Sequence, residues 1–193
     1  MRTPIALSLS IGIVLVTLCQ CGKDSNPVTG SLPDPLIPMA VGNRWINRVS
    51  VYDTSGNPSY SYLDTSRIYR DTLISNEVWF DFFEQGLRQN RADGVWLMTW
   101  PSPILQFPTL ADSSSYLPWD SSYIKLLSRN TTITVPKGTF VCYEYSHIYP
   151  SHAHPLGDKY FIARKVGIVK REIYNLFLGT LMSSTELTDF QLN

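Results

Sequence analysis

Between Arg44 and Phe190 the chain runs in short stretches rich in aromatic and β-branched residues, each closed by a cluster of turn formers, and that rhythm commits it to antiparallel β-structure. The first stretch, Arg44 to Tyr52, stops at residues 53–58, where Gly56 can adopt positive φ. A second strand is expected over Ser59 to Thr72 and a third over Glu77 to Gln85. Asp93-Gly94, a strong hairpin signal, joins Gly86–Asn90 to Val95–Trp100. Alternation returns over Ser122–Ser128, Thr131–Val135, Thr139–Tyr149, Lys159–Lys165, Ile168–Tyr174 and Phe177–Phe190. In between, Pro101, Pro103, Pro108 and Pro118 exclude a central strand, so Pro101 to Trp119 reads as a long surface excursion with room for one short helix over Pro103–Asp112. Thr139–Tyr149 and Val95–Met98 carry apolar bulk on both faces, as a sheet does when it curves around a core and is partly covered outside. The expected architecture is one all-β domain, a curved antiparallel sheet or half-open β-barrel.

At the N-terminus Arg2 precedes an uncharged, largely apolar run from Ile5 to Leu18 that ends at Cys19-Gln20-Cys21-Gly22. The run is shorter than the ~20 residues a bilayer span requires, and a positive charge, an apolar stretch and a processing site mark an export signal. The segment resembles the bacterial lipoprotein signal, whose cysteine is diacylated and becomes the first residue of the mature chain. That motif places an aliphatic residue three positions before the cysteine and a small one directly before it. Cys19 has Val16 and Leu18 at those places, and Cys21 has Leu18 and Gln20. A leucine beside the scissile bond is the harder misfit, so Cys21 is preferred and Cys19 is the alternative. The resemblance implies a signal over 1–20, membrane attachment through an N-terminal diacylglyceryl cysteine, and residence in the bacterial cell envelope on the outer membrane. Residues 21–38, where four prolines and two glycines interrupt polar neighbours, read as a flexible tether, and 39–193 as the body.

Composition narrows the function. The chain has 16 basic and 16 acidic side chains, and removal of residues 1–20 takes only Arg2 with it. Such a balance lacks the basic stripe of a nucleic-acid binder. With Cys21 acylated and Cys19 lost with the signal, Cys142 is the one remaining thiol, so stability has to come from the core and not from a disulfide. Cys142 sits in an apolar run and reads as a buried structural thiol.

Three short motifs carry a wider resemblance: Val41-Gly42-Asn43-Arg44-Trp45 opening the first strand, Val135-Pro136-Lys137-Gly138-Thr139-Phe140 before a Cys-Tyr-x-Tyr strand, and Gly167-Ile168-Val169-Lys170-Arg171-Glu172. Over about residues 39 to 175 the chain resembles a group of bacterial lipoproteins of unassigned function, and its sheet is similar to those of the lipoprotein carrier and receptor families, LolA and LolB. The resemblance implies a half-open barrel around an apolar cavity. It implies no catalytic residue, because the shared positions are glycines, a proline and core aromatics.

Candidate sites are few. His152 and His154, two apart near His147, are weak metal candidates that lack a third ligand fixed by spacing. Carboxylates are scattered along the strands without a pairing, and charged strand positions are expected to face water. Hydrolase, zincin and phosphate-loop signatures are absent, and no cofactor is expected. Most aromatics suit a sheet core, but Trp100, Phe107, Tyr116 and Trp119 lie in or beside the proline-rich segment and are candidates to line a cavity mouth. The leading expectation is a non-enzymatic, lipid-anchored envelope protein that binds an apolar ligand or a protein partner. A scaffold lipoprotein without a small-molecule site comes second, and an unrecognised hydrolase third.

Overall fold

The computed structural model describes residues 34–82, 86–99, 101–111, 113–118, 121–149 and 156–193. Cys19, Cys21, Trp100, Trp119, His152 and His154 lie outside them. The described residues hold twelve strands and no helix: β1 (Arg44–Tyr52), β2 (Pro58–Ile74), β3 (Glu77–Phe82), β4 (Gly86–Arg91), β5 (Gly94–Leu97), β6 (Ile104–Pro108), β7 (Ser114–Leu117), β8 (Ser122–Val135), β9 (Gly138–Ile148), β10 (Leu156–Ala163), β11 (Gly167–Asn175) and β12 (Thr180–Gln191). All belong to one antiparallel sheet in the order β6-β5-β4-β3-β2-β1-β12-β11-β10-β9-β8-β7. Each half is therefore a meander of chain neighbours, and the halves join where β1 pairs with β12 from Arg44↔Gln191 to Val51↔Ser183.

The two edges, β6 and β7, come together and bring the sheet to a nearly closed barrel. Side chains stitch this seam to main-chain carbonyls on the β6 side. Ser115 Oγ donates to Leu105 O, Tyr145 Oη to Pro108 O at 2.9 Å, and Arg129 Nη2 to Thr109 O. The expectation that Pro101 to Trp119 is an excursion without strands, or with a short helix, is thus corrected. Proline is barred from the middle of a sheet because it has no N–H to give, but an edge strand needs no donor on its open side. Both strands of this segment are edges, and Pro108 is the last residue of one of them.

Two further readings change. The runs Ser122–Ser128 and Thr131–Val135 are one strand, β8, with register breaks against β9 at Leu126/Ser128 and Ser128/Thr131. Bulges of this kind strengthen local twist and help a sheet close. Across from them the burial of β9 loses its strict alternation, since Cys142 and Tyr145 are both fully buried. The body also begins before residue 39. Leu36 and Ile37 belong to the core, Ile37 O accepts from Asn90 Nδ2 at 2.6 Å, and Pro35 O accepts from the Lys165 amide at 3.1 Å. The end of the expected tether is thus a strap from the β10–β11 turn to β4, across the end of the barrel where β1 begins.

The Asp93-Gly94 hairpin forms as its sequence suggests, and Gly94 has a second reason to be glycine. A Cβ there would lie 2.1 Å from Phe107 O on β6. Cys142 is a free, buried thiol whose ionisation is pushed up to about 11 by burial.

Candidate functional site

Inward-facing residues of both meanders leave a cavity of about 320 Å³ inside the barrel. Its apolar wall is built by strand alternation. On β1 Trp45 and Asn47 point inward, and Trp45 stacks on Phe82 of β3 with ring centroids 6.0 Å apart. Trp45 is fixed by its indole N–H, which donates to Val166 O at 2.6 Å. Gly167, at φ +102°, lets this close approach happen, since a Cβ would sit 3.3 Å from the indole nitrogen. Phe107 meets Tyr160 of β10 edge-on at 5.2 Å, Ile168 and Val169 of β11 complete the wall, and Ile37 of the strap supplies the floor.

Two arginines interrupt this wall. Arg171 on β11 lies over the Tyr160 ring, 5.1 Å from its centroid, and its Nη2 donates to Asp158 Oδ2 at 2.5 Å. The same carboxylate accepts from Tyr160 Oη at 3.1 Å and Tyr149 Oη at 3.4 Å. Asp158 is 2% exposed, so the expectation that charged strand positions face water fails here. It shares the inward parity of Tyr160 and Ile162, and an ion pair with three donors makes its burial tolerable.

Arg88 on β4 is different. It is 9% exposed, its Nε donates to Gln106 Oε1 at 3.0 Å, and its guanidinium lies 5.1 Å from the Phe82 centroid. No carboxylate among the described residues pairs with it. Burial lowers its ionisation to about 10, and burial likewise pushes the Tyr160 hydroxyl well above the usual phenol range, so Tyr160 stays neutral. Arg88 Nη1 and Arg171 Nε are buried without a hydrogen-bond partner among the described residues.

Of the aromatics singled out in the sequence, Phe107 lines the cavity and is 1% exposed, whereas Tyr116 is 61% exposed on an edge strand. His147 is not part of a described metal cluster. It is buried on β9, and its Nε2 lies 2.7 Å from Ser122 Oγ. This Ser–His contact is not on the cavity wall, and no group of three His, Cys, Asp or Glu side chains converges among the described residues. Asp64, the one carboxylate among the cavity's described lining residues, is exposed at its rim. Sequence reasoning missed Trp45, Arg88, Gln106, Tyr160 and Arg171. The signal available for Asp158 was its place on a strand face shared with the core residues Tyr160 and Ile162, whereas the strand of Arg88 carries no core residue that could have marked its inward face.

Fold and cavity define a class: a nearly closed antiparallel β-barrel whose aromatic-walled interior carries two arginines. Two solved structures are similar to the chain. One is a Bacteroides fragilis NCTC 9343 protein with a YmcC-like fold, provisionally classed as exported. It is 13% identical with a TM-score of 0.49, over 81% of this chain and 98% of that one. The other, from Parabacteroides distasonis ATCC 8503 and provisionally classed as a lipoprotein, is 13% identical with a TM-score of 0.42, over 82% of this chain and 99% of that one. No family model and no curated protein matches the chain.

Proposed function

We propose that the protein is a non-enzymatic, lipid-anchored envelope protein, held on the outer membrane by acylated Cys21 or alternatively Cys19, that binds an apolar ligand inside its barrel. The observation that carries the binding is the interior cavity, about 320 Å³ and walled by Trp45, Phe82, Phe107 and Tyr160. That size falls at the lower end of small-molecule sites, whose walls are mostly apolar with a few placed polar groups. The anchor rests on the order of Arg2, apolar run and cysteine in the sequence. Native mass spectrometry of the protein purified from its own envelope tests the reading. A co-purified small molecule released by organic solvent supports it, and a ligand-free protein that also fails to take up an apolar fluorescent probe refutes it.

One observation favours the scaffold reading as a second proposal. The turn between β11 and β12 exposes Leu176, Phe177 and Leu178, with Phe177 at 76%, at the end of the barrel opposite the strap. Exposed apolar turns of this kind mark contact sites for other proteins or membranes. Crosslinking from position 177 in the intact envelope decides it, and the absence of any crosslinked protein removes this reading.

A further inference from the structure

The cavity's polarity is uneven, and a buried arginine without a counter-charge among the described residues tells what kind of molecule fits it. A guanidinium removed from water needs a counter-charge and hydrogen-bond acceptors, or it weakens the fold. Arg171 has Asp158 as its counter-charge. Arg88 has the neutral amide of Gln106 on Nε and the face of Phe82 beside it, and neither carries a formal negative charge. The other ionisable groups around the cavity do not substitute for one. Tyr160 is held neutral by burial, Asp158 is engaged by Arg171, and Asp64 sits on the exposed rim without an ion pair to Arg88 among the described residues. Arg88 and Arg171 thus both line the cavity among aromatic residues, and each has a guanidinium N–H, Nη1 and Nε respectively, that is buried and unpaired among the described residues.

We infer that the ligand is an amphipathic carboxylate, its headgroup held by Arg88 with help from Arg171 and its apolar body lying against Trp45, Phe82 and Phe107. This assignment rests on the apolar-ligand reading above. Guanidinium groups are matched to carboxylates by their planar fork of donors, and a charge-assisted contact in a desolvated site is roughly twice as strong as a neutral one. Size sets the length. The cavity of about 320 Å³ falls at the lower end of small-molecule sites and suits a short apolar body. Such a body belongs to a medium-chain or aromatic acid and not to a full-length phospholipid.

Isothermal titration of the full chain in lipid nanodiscs, with empty discs as reference, separates headgroup from body by comparing octanoate, 1-octanol and acetate. Octanoate should bind at least about tenfold more tightly than 1-octanol, the equivalent of one charged hydrogen bond, and acetate should bind weakly. Arg88→Gln should bring octanoate down to the level of 1-octanol while leaving 1-octanol within about twofold of its wild-type affinity. Arg88→Lys, which keeps the charge without the fork, should retain part of the preference and guards against a misfolded glutamine variant. Equal binding of octanoate and 1-octanol by the wild type, or an unchanged preference in folded Arg88→Gln, would each overturn the headgroup assignment and leave the apolar-ligand reading standing, whereas acetate bound as tightly as octanoate would remove the apolar body and with it the apolar-ligand reading. Absence of saturable binding by all three would remove the apolar-ligand reading itself.

Discussion

The seam between β6 and β7 can be weakened by a single atom. Tyr145, fully buried on β9, donates its hydroxyl to Pro108 O at 2.9 Å while its ring meets Phe107 edge-on at 5.2 Å. Tyr145→Phe keeps the ring and its packing and deletes only the O–H. A typical internal hydrogen bond contributes about 1 kcal/mol net, but Pro108 is itself fully buried, so water does not readily replace the lost donor. Leaving that carbonyl without its donor brings the expected cost to about 1–3 kcal/mol. At about 2–4 °C per kcal/mol for a body of this size, the thermal midpoint should fall by roughly 4–8 °C for a loss in the middle of that range. Tyr145→Ala removes the ring as well and should cost about 3–5 kcal/mol. Urea unfolding followed by tryptophan fluorescence gives the measurement, with the m-value expected to stay constant. A cost for Tyr145→Phe below about 0.5 kcal/mol, the range of ordinary surface substitutions, would refute the claim that this bond holds the seam.

Further outcomes are expected. Cys21→Ser should lose fatty-acid labelling and membrane attachment, or remain an unprocessed precursor; labelling that persists there and disappears in Cys19→Ser would reverse the choice of cysteine. The Cys142 thiol should resist alkylation at pH 8 in the folded protein and react fully in denaturant. Because its folded-state ionisation is raised, the stability it contributes is present below about pH 9 and lost as the pH rises through about 11, so wild-type protein should lose stability relative to Cys142→Val across that window; parallel pH curves would contradict this. Arg88→Met should stabilise the ligand-free protein, because the folded state depresses ionisation from 12.5 to about 10, a penalty on the order of 3 kcal/mol that a neutral side chain escapes. A lower urea midpoint for Arg88→Met would mean that the charge is compensated in the fold.

The all-β class and the main hairpins were legible because their signals are local: turn clusters such as residues 53–58, the Asp93-Gly94 pair, and alternation along each run. What was not legible depends on which strand lies beside which. The prolines of the middle segment bar a central strand, but nothing local says that Ile104–Pro108 and Ser114–Leu117 are edges. The bulges in β8 look like an ordinary break in alternation until the register with β9 is known. Leu36 and Ile37 are two apolar residues in a proline-rich run, and only the gap they fill distinguishes a strap from a tether. Arg88 and Asp158 follow the same logic, since whether a charged strand residue meets water depends on the curvature of the whole sheet.

The pairing of β1 with β12 also governs how the chain reaches its native state. The neighbours in the centre of the sheet are the first and last strands in sequence, and the terminal Asn193 amide bonds Asn43 Oδ1 at 2.8 Å. The two edges, by contrast, are consecutive in the chain. Completion of the sheet thus waits on a long-range closure between Arg44–Val51 and Ser183–Gln191, and the N-terminal meander leaves one edge of β1 open until β12 is in place. A circular permutant that links Asn193 to Asp34 by a flexible linker and opens the chain between Pro108 and Ser114 would bring this long-range pair close together in the chain. It should fold faster than the parent while keeping the same cavity.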